Sequence, residues 1–284
     1  LTVARKTMHP MMWYLRTARS GEEQLRAAPL RAANREPFEL EPDLALAERL
    51  ADSLVAGDNP FAGVTGDLHL AHRSPIDDTL QPYRAFIPED YDPSKGYPLI
   101  IGLHGASGDE SAFMRRSGFI DEARRRGYLL ATPNGRGPFG GYRGAAGSDV
   151  LEVLDRMLAV YSIDPGKVFL TGHSMGGGGT WRVGFRAPER FAALAPIAGA
   201  PPPNAVNLDA APDMPVLFSA GVKDRTVPIE NVRRLAAIAE DKLKNLVYVE
   251  YPEDGHADVP NSAMIPIFDF FDAHRNSSAK ADKN

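Results

Sequence analysis

The chain has 284 residues, of which 43% are hydrophobic and 24% charged, the proportions of a folded globular protein rather than of a disordered or collagen-like one. Its net charge of −5 provides no overall positive field for nucleic acid or anionic lipid, so neither is an expected partner. The absence of cysteine excludes a disulfide framework, a thiolate metal site and a cysteine nucleophile, and no apolar run reaches the roughly 18 to 20 residues that cross a bilayer.

Residues 1–66 read as a helical N-terminal extension, with helices expected over Met11–Arg19 and Asp43–Ala56. In the second, Leu44, Ala47, Leu50, Ala51, Leu54 and Val55 recur at helical spacing and Gly57 supplies a stop. Leu1–Lys6 lack the apolar core of a signal peptide. A first residue other than Met leaves the compartment open, secretion after removal of a leader included.

From Asp67 the pattern becomes that of an α/β domain, expected over 67–276 and followed by a polar tail at 277–284. Leu68–Arg73 and Tyr83–Ile87 read as an antiparallel strand pair. Further strands are expected at 97–104, 128–133, 167–173, 193–198, 215–220 and 246–251, alternating with helices at 110–126, 149–161, 175–187, 228–244 and 263–274. That alternation predicts eight strands in a mostly parallel sheet with helices on both faces. Arg124, Arg125 and Arg126 belong on the solvated end of a helix.

One motif carries chemistry. Gly172-His173-Ser174-Met175-Gly176 fits G-x-S-x-G and lies between an apolar strand, Lys167–Thr171, and a helix. At such a strand-to-helix turn a serine is strained with its hydroxyl exposed, and small residues two positions away let the two arms approach.

Serine needs a base to take its proton. Of the seven histidines, His9, His69 and His72 precede the sheet core, His173 is inside the turn itself, His274 ends the last helix, and His104 reads as a brace for its own loop. His256, just after the last strand, is left as base. Asp224, after the strand at 215–220, is the favoured carboxylate to orient it, with Asp254 a rival two residues from the histidine. For the oxyanion, one backbone N–H is expected from Met175 and another from Ala106 in Leu103-His104-Gly105-Ala106-Ser107-Gly108.

Gly135-Arg136-Gly137-Pro138-Phe139-Gly140 fits G-x-G-x-x-G, the pattern of a dinucleotide site. Pro138 interrupts the turn and the next helical pattern begins only near Asp149, so no helix N-terminus would receive a pyrophosphate and no cofactor is expected. No metal site is expected either. Phe139 and Tyr142 in this stretch either touch substrate or simply pack.

These residues together resemble the α/β-hydrolases of the polyhydroxybutyrate-depolymerase-like and feruloyl-esterase-like type, carbohydrate esterase family one included. The resemblance runs from about Leu80 to Phe271 and rests on Tyr97–Gly105, Asp164-Pro165, Gly172–Gly177 with Thr180-Trp181, and Asp254-Gly255-His256. It implies an α/β-hydrolase fold and cofactor-free hydrolysis of carboxylic esters through an acyl-enzyme, with Trp181 joining Phe139 and Tyr142 as a candidate substrate contact. The implied partner is a small-molecule or polysaccharide-linked ester, of aryl, hydroxycinnamoyl or short-chain type. A serine peptidase or acyltransferase would use the same triad, and a binding protein could retain the fold without catalysis. Only Gly199–Met214 separates the sixth and seventh strands, too little for a cap domain, so an open cleft is expected. Nothing in the sequence assigns an oligomeric state.

Overall fold

The computed structural model describes residues 48–49, 52–53, 55–57, 64–116 and 118–275. The helix expected over Met11–Arg19 and the polar tail at 277–284 lie outside these residues. Of the second expected helix, the described residues between 48 and 56 are helical, and Gly57 follows as a turn with φ +83°.

The strands are β1 (Gly66–Arg73), β2 (Leu80–Ile87), β3 (Tyr97–Leu103), β4 (Leu129–Pro133), β5 (Ile163–His173), β6 (Ala193–Ile197), β7 (Val216–Gly221) and β8 (Leu246–Tyr251). They form one sheet of order β1-β2-β4-β3-β5-β6-β7-β8. Every pairing from β4 to β8 is parallel, and β2 runs antiparallel to β4. The sequence expectation of an eight-stranded, mostly parallel sheet is met.

Among the described residues, 69–82 belong to one compact unit, and 65–68 with 83–275 to a second. In the first, Ser74–Thr79 makes the turn between β1 and β2: the Thr79 carbonyl accepts the Ser74 N–H at 2.8 Å, and Ser74 accepts from Asp78 at 3.0 Å.

The second unit holds the helices α1 (Glu110–Met114), α2 (Phe119–Arg126), α3 (Gly144–Val160), α4 (Met175–Arg186), α5 (Ile229–Lys242) and α6 (Val259–His274). Apart from Asp164–Lys167 of β5, strands β3 to β7 are buried almost throughout, which is why they read as continuous apolar runs rather than alternating ones. Because successive side chains point to opposite faces, Ile100, Leu130, Phe169 and Leu217 build a core with Phe113, Phe119, Phe268 and Phe271 from α1, α2 and α6. On the other face Trp181 of α4 meets Phe218 edge-on, with ring centroids 5.2 Å apart.

Three of the differences from the sequence reading have a clear cause. The helix expected over 110–126 is two, because the chain turns at Arg115 and Gly118 takes φ +78°, a value that cannot continue an α-helix. β5 begins at Ile163, earlier than the apolar run, since Tyr97 of β3 pairs with Ile163 across a register shift. α3 begins at Gly144 rather than near Asp149; its first turn, Gly-Ala-Ala-Gly, lacks the periodic apolar residues by which a helix is recognised.

Candidate active site

Ser174 sits between β5 and α4 at φ 60°, ψ −116°, a strained conformation for a residue with a side chain. It persists because both flanks are pinned: the Ile197 carbonyl accepts the Ser174 N–H at 2.9 Å, and the Ser174 carbonyl accepts from Gly178 at 3.0 Å. The turn also requires glycine on each side. A β-carbon at Gly176 would lie 2.0 Å from the Leu103 carbonyl oxygen, and one at Gly172 would lie 2.5 Å from the Gly176 oxygen. Close approach of backbone to backbone, rather than chance composition, therefore explains the glycines of the motif.

The loops after β7 and β8 bring in two more side chains. His256 Nε2 is 2.9 Å from Ser174 Oγ, and His256 Nδ1 is 2.6 Å from Asp224 Oδ2. The other carboxylate oxygen of Asp224 accepts the N–H groups of Thr226 and Val227, both at 2.8 Å, so the carboxylate is anchored at both ends. Asp254, the rival orienter, makes a different contact: its backbone carbonyl accepts the Lys223 N–H at 2.9 Å, and its buried Oδ2 has no hydrogen-bond partner among the described residues. The β7–β8 loops lie this close because Gly221 has no side chain; a β-carbon there would come within 2.5 Å of the Asp254 oxygen.

The loop after β3 reaches the same place. A β-carbon at Gly105 would lie 3.4 Å from Ser174 Cβ, so Ala106 follows a residue in contact with the serine. Met175 is the first residue of α4, where the N–H has no acceptor within the helix. His104, buried, faces the Gly105 carbonyl with Nδ1 at 2.8 Å and the Asn134 carbonyl with Nε2 at 2.7 Å, bracing the loop. Ser107 donates its N–H to Pro138 at 2.8 Å, which joins the loop to the glycine-rich stretch. Among the described residues no helix follows that stretch directly: α3 starts four positions beyond Gly140.

The three aromatic candidates separate. Phe139, next to Pro138, is 68% exposed. Tyr142 and Trp181 are fully buried, which corrects their assignment as substrate contacts. Tyr142 wedges its ring against Gly179, where a β-carbon would meet it at 2.5 Å, and reaches the His104 carbonyl with its hydroxyl at 3.4 Å. Trp181 stacks on Phe185 and meets Phe218. Both are packed into the protein interior, with almost no surface open to solvent.

Two residues that the sequence did not single out complete the arrangement. His173 Nε2 lies 2.8 Å from the backbone carbonyl of His256, and its Nδ1 lies 2.9 Å from a guanidinium nitrogen of Arg116. The two imidazole rings stand 4.5 Å apart. Burial, then the positive charge of Arg116 and the neighbouring His256, push the His173 pKa down to about 3. Burial likewise lowers that of Arg116 to about 10. No spacing rule could have paired Arg116, inside an expected helix, with His173 at the end of a strand.

Among the described residues no group of His, Asp or Glu is placed to hold a metal, and no helix is long and apolar enough to cross a membrane.

Comparison with known proteins bears on the fold. Residues 144–283 match the family described as the dienelactone hydrolase family. A segment of 138 residues is 28% identical to the bifunctional acetylxylan esterase/xylanase XynS20E of Neocallimastix patriciarum, covering 48% of this chain and 18% of that protein. A segment of 119 residues is 29% identical to a protein of Aspergillus terreus named "Probable feruloyl esterase C", covering 40% of this chain and 44% of that one. The chain thus spans less than half the length of either relative. Among solved structures, the CE1 ferulic acid esterase of Anaeromyces mucronatus is similar with a TM-score of 0.62 at 18% identity, over 76% of this chain and 93% of that one. The S-formylglutathione hydrolase of Staphylococcus aureus gives 0.61 at 20% identity, over 72% and 96%. At such identities the likeness is one of fold, and by its sheet order the chain has the α/β-hydrolase fold.

Proposed function

We propose that the chain is a serine carboxylic-ester hydrolase working through an acyl-enzyme. The observation that carries this reading is His256 held between Ser174 Oγ at 2.9 Å and Asp224 Oδ2 at 2.6 Å, within the hydrogen-bond reach that nucleophile activation requires.

In this reading Ser174 Oγ attacks the ester carbonyl carbon while its proton passes to His256 Nε2. Asp224 holds the Nδ1–H tautomer and stabilises the imidazolium that forms. The N–H groups of Met175 and Ala106 receive the negative oxygen; loss of one such donor costs on the order of 3 kcal/mol of barrier. The tetrahedral intermediate collapses as His256 returns the proton to the departing alkoxide, releasing the alcohol and leaving an acyl group on Ser174. Water then attacks that acyl carbon, its proton taken by His256; the second tetrahedral intermediate collapses as His256 returns the proton to Ser174 Oγ, and the acid departs.

The substrate class proposed is a feruloyl-type or short-chain ester, on a small molecule or a polysaccharide. It is supported by the names of the two relatives and by the short connection between β6 and β7, which contains only the single helical turns Pro203–Ala205 and Leu208–Ala210. The exposed ring of Phe139 is the proposed aromatic contact for the acyl group.

The test is hydrolysis of para-nitrophenyl acetate and methyl ferulate by the purified chain beside Ser174→Ala, with fluorophosphonate labelling in parallel. Turnover of methyl ferulate lost in the variant supports the feruloyl-type reading, and turnover of acetate alone narrows it to short-chain esters. An unlabelled Ser174, or a variant with full rate, overturns the mechanism.

A further inference from the structure

Beyond the triad, one cavity in the second unit has an unusual charge pattern for an acidic protein. It measures about 430 Å³ and is lined by Arg143, Arg182 and Arg186 together with Tyr142, Gly144 and Asn207, and it includes none of the triad residues. The volume is that of a small-molecule site.

Arg143 and Arg186 are exposed to solvent, and Arg182 is half-buried. Arg182 donates to the Gly141 carbonyl at 3.2 Å, and Arg186 makes two long contacts of 3.4 Å, to the Gly144 carbonyl and Ser148 Oγ. Among the described residues, the ion pairs of this chain use many other arginines but none of these three. Burial first, and the Arg143 charge second, both work against the Arg182 cation. Like charges gathered without a counter-ion are unfavourable, and a bound anion would reverse the sign of that term.

The same cavity contains the start of α3. Its N-cap residue, Arg143, offers no side-chain acceptor, and the first turn holds no carboxylate, so the positive end of the helix dipole is left without the negative partner that usually occupies it. Arg182 lies on α4 about 12 Å of helix rise beyond Ser174. The cavity is thus built on the helix that begins at the elbow, but on its far turns.

We propose that this cavity is a binding site for a small organic oxoanion, a carboxylate or a phosphate, gripped by Arg143, Arg182 and Arg186 at the N-terminus of α3. Planar guanidinium forks match the paired oxygens of either group. Asn207, also in the lining, adds an amide able to donate to such a ligand.

The experiment is titration calorimetry of the whole chain at low ionic strength with inorganic phosphate, with malonate, and with glycerol as a neutral control. Saturable binding of phosphate or malonate but not glycerol is expected, weakening as salt is added. Arg182→Gln and Arg186→Gln are each expected to weaken it by about tenfold. Arg186 is exposed, so its variant keeps the test valid even where loss of Arg182 disturbs packing, with circular dichroism as the check. Binding of phosphate alone assigns a phosphate ligand, binding of malonate alone a carboxylate, and binding of both the shared oxoanion chemistry. If the unaltered chain binds neither, or if Arg186→Gln binds as tightly as the unaltered chain, the proposal is overturned. The readout is binding, so it stands apart from whether the chain hydrolyses esters.

Discussion

His173 donates its Nε2–H to the backbone carbonyl of His256 at 2.8 Å. A carbonyl can only accept and the Arg116 guanidinium on Nδ1 can only donate, so the two partners together select the neutral Nε2–H tautomer of His173. The residue before the proposed nucleophile thereby holds the main chain of the proposed base. Reactive geometry is sensitive to displacements of about 1 Å, which can cost on the order of a hundredfold in rate. His173→Ala is therefore expected to lower kcat by roughly ten- to a hundredfold with a smaller change in KM, and His173→Gln, which can still donate and accept, to recover part of it. Equal loss in both variants would make the role one of packing alone.

The same contact has a pH signature. The folded-state pKa of His173 is lowered from 6.5 to about 3, so above pH 6.5 the residue is neutral in both states and costs nothing. As pH falls below 6.5 the unfolded chain takes up a proton that the folded chain refuses, and stability drops by at most about 1.4 kcal/mol per pH unit until about pH 3. Denaturant unfolding across this window is expected to show a flatter pH dependence in His173→Gln than in the unaltered chain.

Asp224 and Asp254 are separable by mutation. Asp224→Asn keeps the shape but permits the wrong histidine tautomer, and its kcat is expected to fall by roughly a thousandfold or more. Asp254 engages the neighbouring loop through its backbone carbonyl, so Asp254→Asn is expected to stay within about threefold of the unaltered rate. The reverse order would move the orienting role to Asp254.

The elbow should tolerate no added atom. Gly176→Ala places a methyl 2.0 Å from the Leu103 carbonyl, a clash with backbone that no rotamer relieves, and is expected to destabilise the fold by about 3 kcal/mol or more. Thermal or denaturant unfolding measures it; an unchanged midpoint would contradict the close packing of β3 against α4.

Trp181 and Phe139 are expected to divide stability from recognition. Trp181→Ala empties a fully buried site and should cost about 3–5 kcal/mol. Phe139→Ala removes a ring that is already 68% exposed, so the melting temperature should hardly move while KM for methyl ferulate rises relative to acetate. A Phe139→Ala enzyme with unchanged KM for both esters would remove Phe139 from the substrate site.

What the sequence determined by itself was local or periodic. Apolar runs bounded by turns marked β3 to β8, and their alternation with helices led to the sheet. Ser174 was legible because its strand, turn and helix are contiguous, and His256 because it follows the last strand. The tertiary structure decided what depends on which strands are neighbours. Asp224 rather than Asp254 meets the His256 ring because Gly221 lets the β7 and β8 loops close on each other. Arg116 reaches His173 across 57 residues of chain. Tyr142 and Trp181 turned inward, although the sequence reading made both candidate substrate contacts. The three arginines on α4 and at the start of α3 share one cavity only because these two helices, separated by β5, pack side by side. Periodicity records which face of an element is buried; it carries no information about which distant side chain lies opposite, and that pairing is where the chemistry of this site resides.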